Sequence, residues 1–194
     1  MTGRTWQLGL LAAVPLLAAG CAAAQPVAHG SPSPGMSRSP GMSMPGMTPA
    51  AAGPSVSAQM ICSAEIRADV ATLFALRNPA PATSSWVSHL YTCTYQLPAG
   101  RLVLSVKESP DVPAARRYFT ALRQHLGATK PLLGMSGLGM PAYEADGTAV
   151  FLKDDKTLQV NATALPARAG PTSDTRTDLA YTIATDILAC WTGK

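Results

Sequence analysis

The chain has 194 residues, of which 13% are charged and 47% hydrophobic, and a formal net charge of +4 at pH 7. Once the N-terminal segments described below are set aside, one domain of ordinary size remains. Over residues 60–194 thirteen basic side chains face eleven acidic ones, which excludes the dense Lys/Arg surface with interleaved aromatics that nucleic acid requires.

Met1 to Gln7 are polar with a single positive charge, Arg4, and Leu8 to Ala19 form an apolar run that ends at Gly20 and Cys21. This order is that of a secretory signal. The run is too short to span a hydrocarbon core, which needs ~20 residues. The segment Leu16 to Cys21, LLAAGC, resembles the bacterial lipobox, with Ala18 standing where leucine is usual. That resemblance implies removal of residues 1–20, a diacylglycerol on Cys21, and a protein held on the outer face of the cell membrane. Two acyl chains give a stable anchor where one is reversible. With Arg4 alone rather than paired, the expected export route is the general secretory one.

Residues 21–59 form the expected tether. Ala22 to Gln59 contain seven prolines, many Ala, Gly and Ser, no acidic residue and one charge, Arg38. Such a segment cannot bury enough apolar surface to offset its ordering entropy, which predicts disorder and a reach of roughly 35 Å. A short repeat runs through it at Ser33–Ser37, Ser39–Ser43 and Met44–Thr48, and places Met36, Met42, Met44 and Met47 close together. Thioethers are soft ligands that favour Cu(I). The spacing of Met42, Met44 and Met47 resembles methionine motifs of exported copper-handling proteins. The competing reading is a low-complexity spacer that merely tolerates methionine.

From Met60 onward the pattern alternates. Ile66, Val70, Leu73 and Phe74 predict a helix over about Ser63–Arg77, capped by Ser63 and stopped by Asn78 and Pro79. A loop rich in Pro, Ser and Thr is expected next, then a strand over Leu90–Leu97 with Tyr91, Cys93, Tyr95 and Leu97 on one face. Pro98 to Gly100 turn the chain into a second strand, Arg101–Lys107, which completes a hairpin. Asp111 is expected to cap a helix whose stripe is Val112, Ala115, Phe119, Leu122 and Leu126, with Gly127 ending it. A glycine-rich connection from Gly134 to Met140 leads into a meander at Ala142–Ala145, Thr148–Lys153 and Thr157–Ala164. A final helix over Thr175–Trp191 carries Leu179, Ile183, Ile187 and Cys190 on one face. The expected fold is α+β: an antiparallel sheet built from a hairpin and a meander, with three helices packed on it.

With Cys21 consumed by lipid, Cys62, Cys93 and Cys190 remain in an oxidising compartment, and three cannot all pair within one chain. The favoured bridge is Cys62–Cys93, worth roughly 3–4 kcal/mol in the chain-entropy description. It would leave Cys190 a buried free thiol, while Cys62–Cys190 and Cys93–Cys190 stay open.

A cysteine before an N-terminal helix (Cys62), the strand residues Cys93, Thr94 and Tyr95, and the step Gly137, Leu138, Gly139 resemble actinobacterial lipoprotein domains of uncharacterised function. Those domains, like the extracellular sensor domains of some receptor kinases, are similar to PsbP-like α+β folds. The resemblance implies fold and location, and carries no catalytic residues.

No HExxH, GxSxG, CxxC or phosphate-loop pattern occurs. His89 precedes Cys93 by four residues, but a disulfide is the more ordinary fate of an exported cysteine than a thiolate nucleophile. Asp154 and Asp155 read as turn-formers, Arg116, Arg117 and Arg123 as a solvated helix face, and Met60, Met135 and Met140 as packing residues. The expectation is therefore a non-enzymatic, membrane-anchored binding module whose tether takes up Cu(I) through Met36, Met42, Met44 and Met47. The alternative is a structural or sensory interaction domain with an inert tether that binds an envelope protein, a lipid or a small ligand.

Overall fold

A computed structural model describes residues 53–133 and 140–192. The chain enters through a short helix, α1 (Val56–Gln59), and a 3-10 turn (Met60–Cys62), followed by α2 (Ala64–Leu73). Strands β1 (Ala82–Val87), β2 (Leu90–Leu97) and β3 (Gly100–Glu108) lead to α3 (Val112–Leu126). Then come β4 (Lys130–Pro131), β5 (Ala142–Ala145), β6 (Thr148–Lys153), β7 (Lys156–Asn161), the small pair β8 (Arg168–Ala169) and β9 (Asp174–Thr175), and α4 (Arg176–Thr192). Seven strands form one antiparallel sheet in the order β1-β2-β3-β7-β6-β5-β4. The fold is α+β, with the longer helices packed on the sheet.

The helix starts follow their caps. Ser63 Oγ accepts from the Ile66 amide at 3.3 Å and Asp111 Oδ1 from the Ala114 amide at 2.6 Å, each satisfying a donor that the first turn leaves free. The expected first helix stops at Leu73 rather than Arg77. Ala75 takes φ 51°, and the Leu76 amide donates back to the Ala71 carbonyl. Phe74 and Leu76 thereby pack against the core, and that burial outweighs the modest cost of a non-glycine residue at positive φ.

The expected Pro/Ser/Thr loop before β2 is instead the strand β1, which makes the first unit a three-stranded meander. Its sequence, ATSSWV, buries neither face, so periodicity could not reveal it; its ladder to β2 holds it in place. Residues 55–59, assigned to the tether by composition, fold onto the domain, with Ala58 fully buried. At the turn from β2 into β3 only glycine fits: Gly100 has φ 141°, and a Cβ there would strike the Ala164 carbonyl oxygen.

One face of the sheet carries the main core. Cys93, Tyr95, Leu102, Leu104, Val106, Phe151, Leu158 and Val160 meet Ile61, Ile66 and Val70 from the N-terminal segments and Ile183 and Ile187 from α4. The other face is covered by α3, which packs on β6 and β7. There Ala115, Tyr143, Val150 and Leu152 are buried. Phe119 and Tyr143 lie 4.7 Å apart between ring centroids, and the Tyr143 hydroxyl donates to the Phe119 carbonyl. Val112, expected in the apolar stripe of α3, faces solvent at 41% exposure in the helix's first turn.

Candidate functional site

The disulfide joins Cys62 to Cys93, as favoured, and Cys190 is the free cysteine among the described residues. Cys190 is half-buried, not buried: it lies a turn beyond Ile187, where α4 runs past the buried part of its stripe. Next to the bridge, the buried Tyr95 hydroxyl donates to the Ile61 carbonyl at 2.6 Å. Burial pushes the Tyr95 phenol well above its usual range, so it stays a neutral donor at any physiological pH. Bridge and phenol together fasten the N-terminal segment to the middle of β2.

Several segments converge at one end of the sheet. Glu108, at the end of β3, accepts the Ser55 amide on Oε1 at 3.0 Å, and its own amide donates to the His89 carbonyl at 2.9 Å. The Ser109 amide donates to the Asp155 carbonyl, which brings in the β6–β7 turn, and Lys107 Nζ donates to the Ser88 carbonyl at 2.5 Å. Trp191 Nε1 donates to the Ser57 carbonyl at 3.0 Å, so the end of α4 reaches the same place. The β1–β2 turn is made by Ser88 and His89, both at positive φ (50° and 59°), where Asn-Gly is the ordinary choice. His89 lies edge-on to Trp86, 5.6 Å between centroids. Around this end three valines are exposed: Val56 at 81%, Val87 at 66% and Val112 at 41%.

Beside it, half of one sheet face is open. A single line across the strands reads Ser85, Thr92, Ser105, Gln159, Val150, Tyr143. It is polar across β1, β2 and β3, and passes through Gln159 to the buried Val150 and Tyr143 on the side where α3 packs. Lys107 and Tyr118 border the open half, the ammonium 5.9 Å from the ring centroid. Two shallow clefts lie elsewhere. One of about 350 Å³ is lined by Lys130, Glu144, Asp146 and Thr177, and one of about 340 Å³ by Arg116, Arg117, Thr120 and Gln124.

Cys21 and the tether methionines Met36, Met42, Met44 and Met47 lie outside the described residues, as does Met135. Met60 and Met140 pack partly buried against the core. His89 and His125 are not brought together: one sits in the β1–β2 turn, the other in the last turn of α3. Cys93 lies four residues along the extended chain from His89, with its sulfur engaged in the bridge. Asp154 and Asp155 form the expected turn, each paired with its neighbouring lysine at 2.8 Å. Arg116 and Arg117 are exposed, whereas Arg123 donates to Thr129 and lies over Tyr143. Among the described residues no three His, Cys, Asp or Glu side chains converge on a metal-sized site, and no helix is long and apolar enough to cross a membrane.

Sequence reasoning missed the exposed end. Its one legible signal was the apolar pair Trp86-Val87 directly before the polar pair Ser88-His89. Comparison with known proteins adds no relative: no family model, no curated protein and no solved structure matches this chain.

Proposed function

We propose that the protein is a lipid-anchored, extracytoplasmic binding module that performs no catalysis. The observation that carries this reading is the Cys62–Cys93 disulfide, a bond that persists in oxidising compartments, behind the lipobox-like segment ending at Cys21. The described side chains support binding rather than turnover: the phenols of Tyr95 and Tyr143 are held neutral by burial, and the two histidines stand apart. Growth with a labelled fatty acid tests the anchor. Label is expected on the native protein and absent from Cys21→Ala, which should be shed from the membrane fraction; an unlabelled native chain refutes the anchor.

What the module binds has two readings, each with its own observation. The spacing of Met42, Met44 and Met47, with Met36 upstream, supports Cu(I) uptake by the tether. A Cu(I) competition titration on protein beginning at Ala22, beside a variant with all four methionines changed to Ser, decides it: tight binding lost in the variant is expected. Equal, weak binding by both would leave the second reading, an interaction domain for an envelope protein, lipid or small ligand. That reading is supported by the sheet face beyond the strands that α3 packs on, where Ser85, Thr92 and Ser105 stand in one line.

A further inference from the structure

Of the strongly exposed large apolar side chains among the described residues, Leu133 stands beside the edge strand β4, and the other three lie at one end of the sheet. Val56 opens α1, Val87 ends β1 and Val112 opens α3. All three adjoin the Glu108 junction, where Ser55 and His89 are tied to the end of β3. The described chain begins at this same end, Gly53 and Pro54 leading directly into Ser55. Trp86 stands next to Val87, half-exposed with His89 against its edge. Tyr118, under Lys107, closes the group from the α3 side.

We infer that this end of the domain is a membrane-resting face, which seats Trp86, Val56, Val87 and Val112 in the headgroup layer of the bilayer that holds the Cys21 lipid. The inference rests on the anchor proposed above and gives the domain an orientation on it. Trp and Tyr favour that layer because each pairs an apolar ring with a polar handle. Three valines and one tryptophan are a weak membrane ligand for a free protein. Attached to the bilayer through a chain that spans at most roughly 110 Å between Cys21 and Gly53, the same contact becomes intramolecular and is multiplied by effective concentration.

The charges at this end decide the lipid chemistry. Lys107, Lys153 and Lys156 face Glu108, Asp111, Asp154 and Asp155. Lys153 and Lys156 are paired to Asp154 and Asp155, Glu108 holds the Ser55 amide, and Asp111 caps α3. No surplus of positive charge remains to attract anionic lipid, so the contact is apolar and zwitterionic lipid suffices.

The test uses the full-length lipidated protein reconstituted in phosphatidylcholine vesicles with brominated acyl chains. Once the signal is removed, its tryptophans are Trp86 and Trp191, and Trp86→Phe assigns the signal. Quenching of Trp86 is expected, unchanged by added phosphatidylglycerol or by salt. It should be lost in Val56→Asp/Val87→Asp/Val112→Asp, whose thermal midpoint serves as the folding control, and deepened by Val87→Leu. Absent quenching, equal quenching in the triple variant, or quenching that needs anionic lipid and low salt would each overturn the inference. Fatty-acid labelling of the same preparation keeps the two ideas apart: lipid on Cys21 without quenching removes only the membrane face, while an unlabelled Cys21 removes the anchor and the face with it.

Discussion

Replacing both bridge cysteines by alanine, Cys62→Ala/Cys93→Ala, should lower the stability of the described fold by more than the loss of either side chain's packing alone. The bridge closes a sequence separation of 31 residues, which in the chain-entropy description amounts to about 3.7 kcal/mol. Cys93 is fully buried in the core, and truncating its sulfur leaves a small void worth about 1 kcal/mol more. For residues 53–192 the unfolding entropy is about 0.3 kcal/mol/K, so a loss of roughly 4–5 kcal/mol lowers the midpoint by about 15 °C. Urea unfolding followed by circular dichroism measures it. A second arm tests whether bridge and phenol act as one fastening. Tyr95→Phe strands the Ile61 carbonyl in the core and costs roughly 1–3 kcal/mol with the bridge intact. Without the bridge, the 3-10 turn can move and hydrate that carbonyl, so the same substitution should cost less. A double-alanine loss below about 1.5 kcal/mol, well under the chain-entropy figure, or a Tyr95→Phe penalty indifferent to the bridge, would refute the reasoning.

Other outcomes follow from single sites and can be read by thermal unfolding. Gly100→Ala forces a Cβ onto the Ala164 carbonyl at φ 141° and should destabilise by at least roughly 2 kcal/mol. The hydroxyls of Thr148 and Thr157 are buried without a hydrogen-bond partner, so Thr148→Val and Thr157→Val should each stabilise by about 1 kcal/mol. Changing Ser88-His89 to Asn-Gly puts at the two positive-φ positions the residues that tolerate them best and should gain about 1 kcal/mol. Acid dependence follows from Asp69 and Asp186. Partial burial raises both carboxyls, helped by Glu65 for Asp69 and by Asp69 for Asp186. A raised carboxyl favours the protonated fold, so this contribution is present below the ordinary aspartate range and is lost as pH rises through the raised values. Asp186→Asn should therefore raise the midpoint at pH 7 and leave it nearly unchanged at pH 3; an equal shift at both would contradict the burial argument.

What could be seen in the sequence was whatever local chemistry alone decides. Ser63 and Asp111 cap helices because their oxygens reach the amides three residues on, and β2 and β3 show their face because alternate residues are buried. Apart from the half-buried Cys190, α4 likewise runs as its Leu179, Ile183, Ile187 stripe predicts. What stayed hidden depends on partners remote in sequence. β1 has no buried face of its own and exists through its ladder to β2. The early stop of α2 depends on a core that Phe74 and Leu76 can reach only if the helix ends.

The same distinction explains why the candidate site was harder to read than the fold. Catalytic sites announce themselves by residue types that chemistry cannot do without, and this sequence offers none in a recognised spacing. A docking face is made of ordinary residues, and only their placement marks it. Val56, Val87 and Val112 are unremarkable in sequence, as scattered exposed apolar residues are normal. They acquire meaning because Glu108 ties Ser55 and the His89 turn to one corner, and because the described chain begins at that corner. An apolar cluster at the opposite end of the sheet would argue for a partner in solution. Placed where the described chain begins, it argues, on the anchor proposed above, for the bilayer as the surface this end meets, and leaves the line of Ser85, Thr92 and Ser105 as the face available to a ligand.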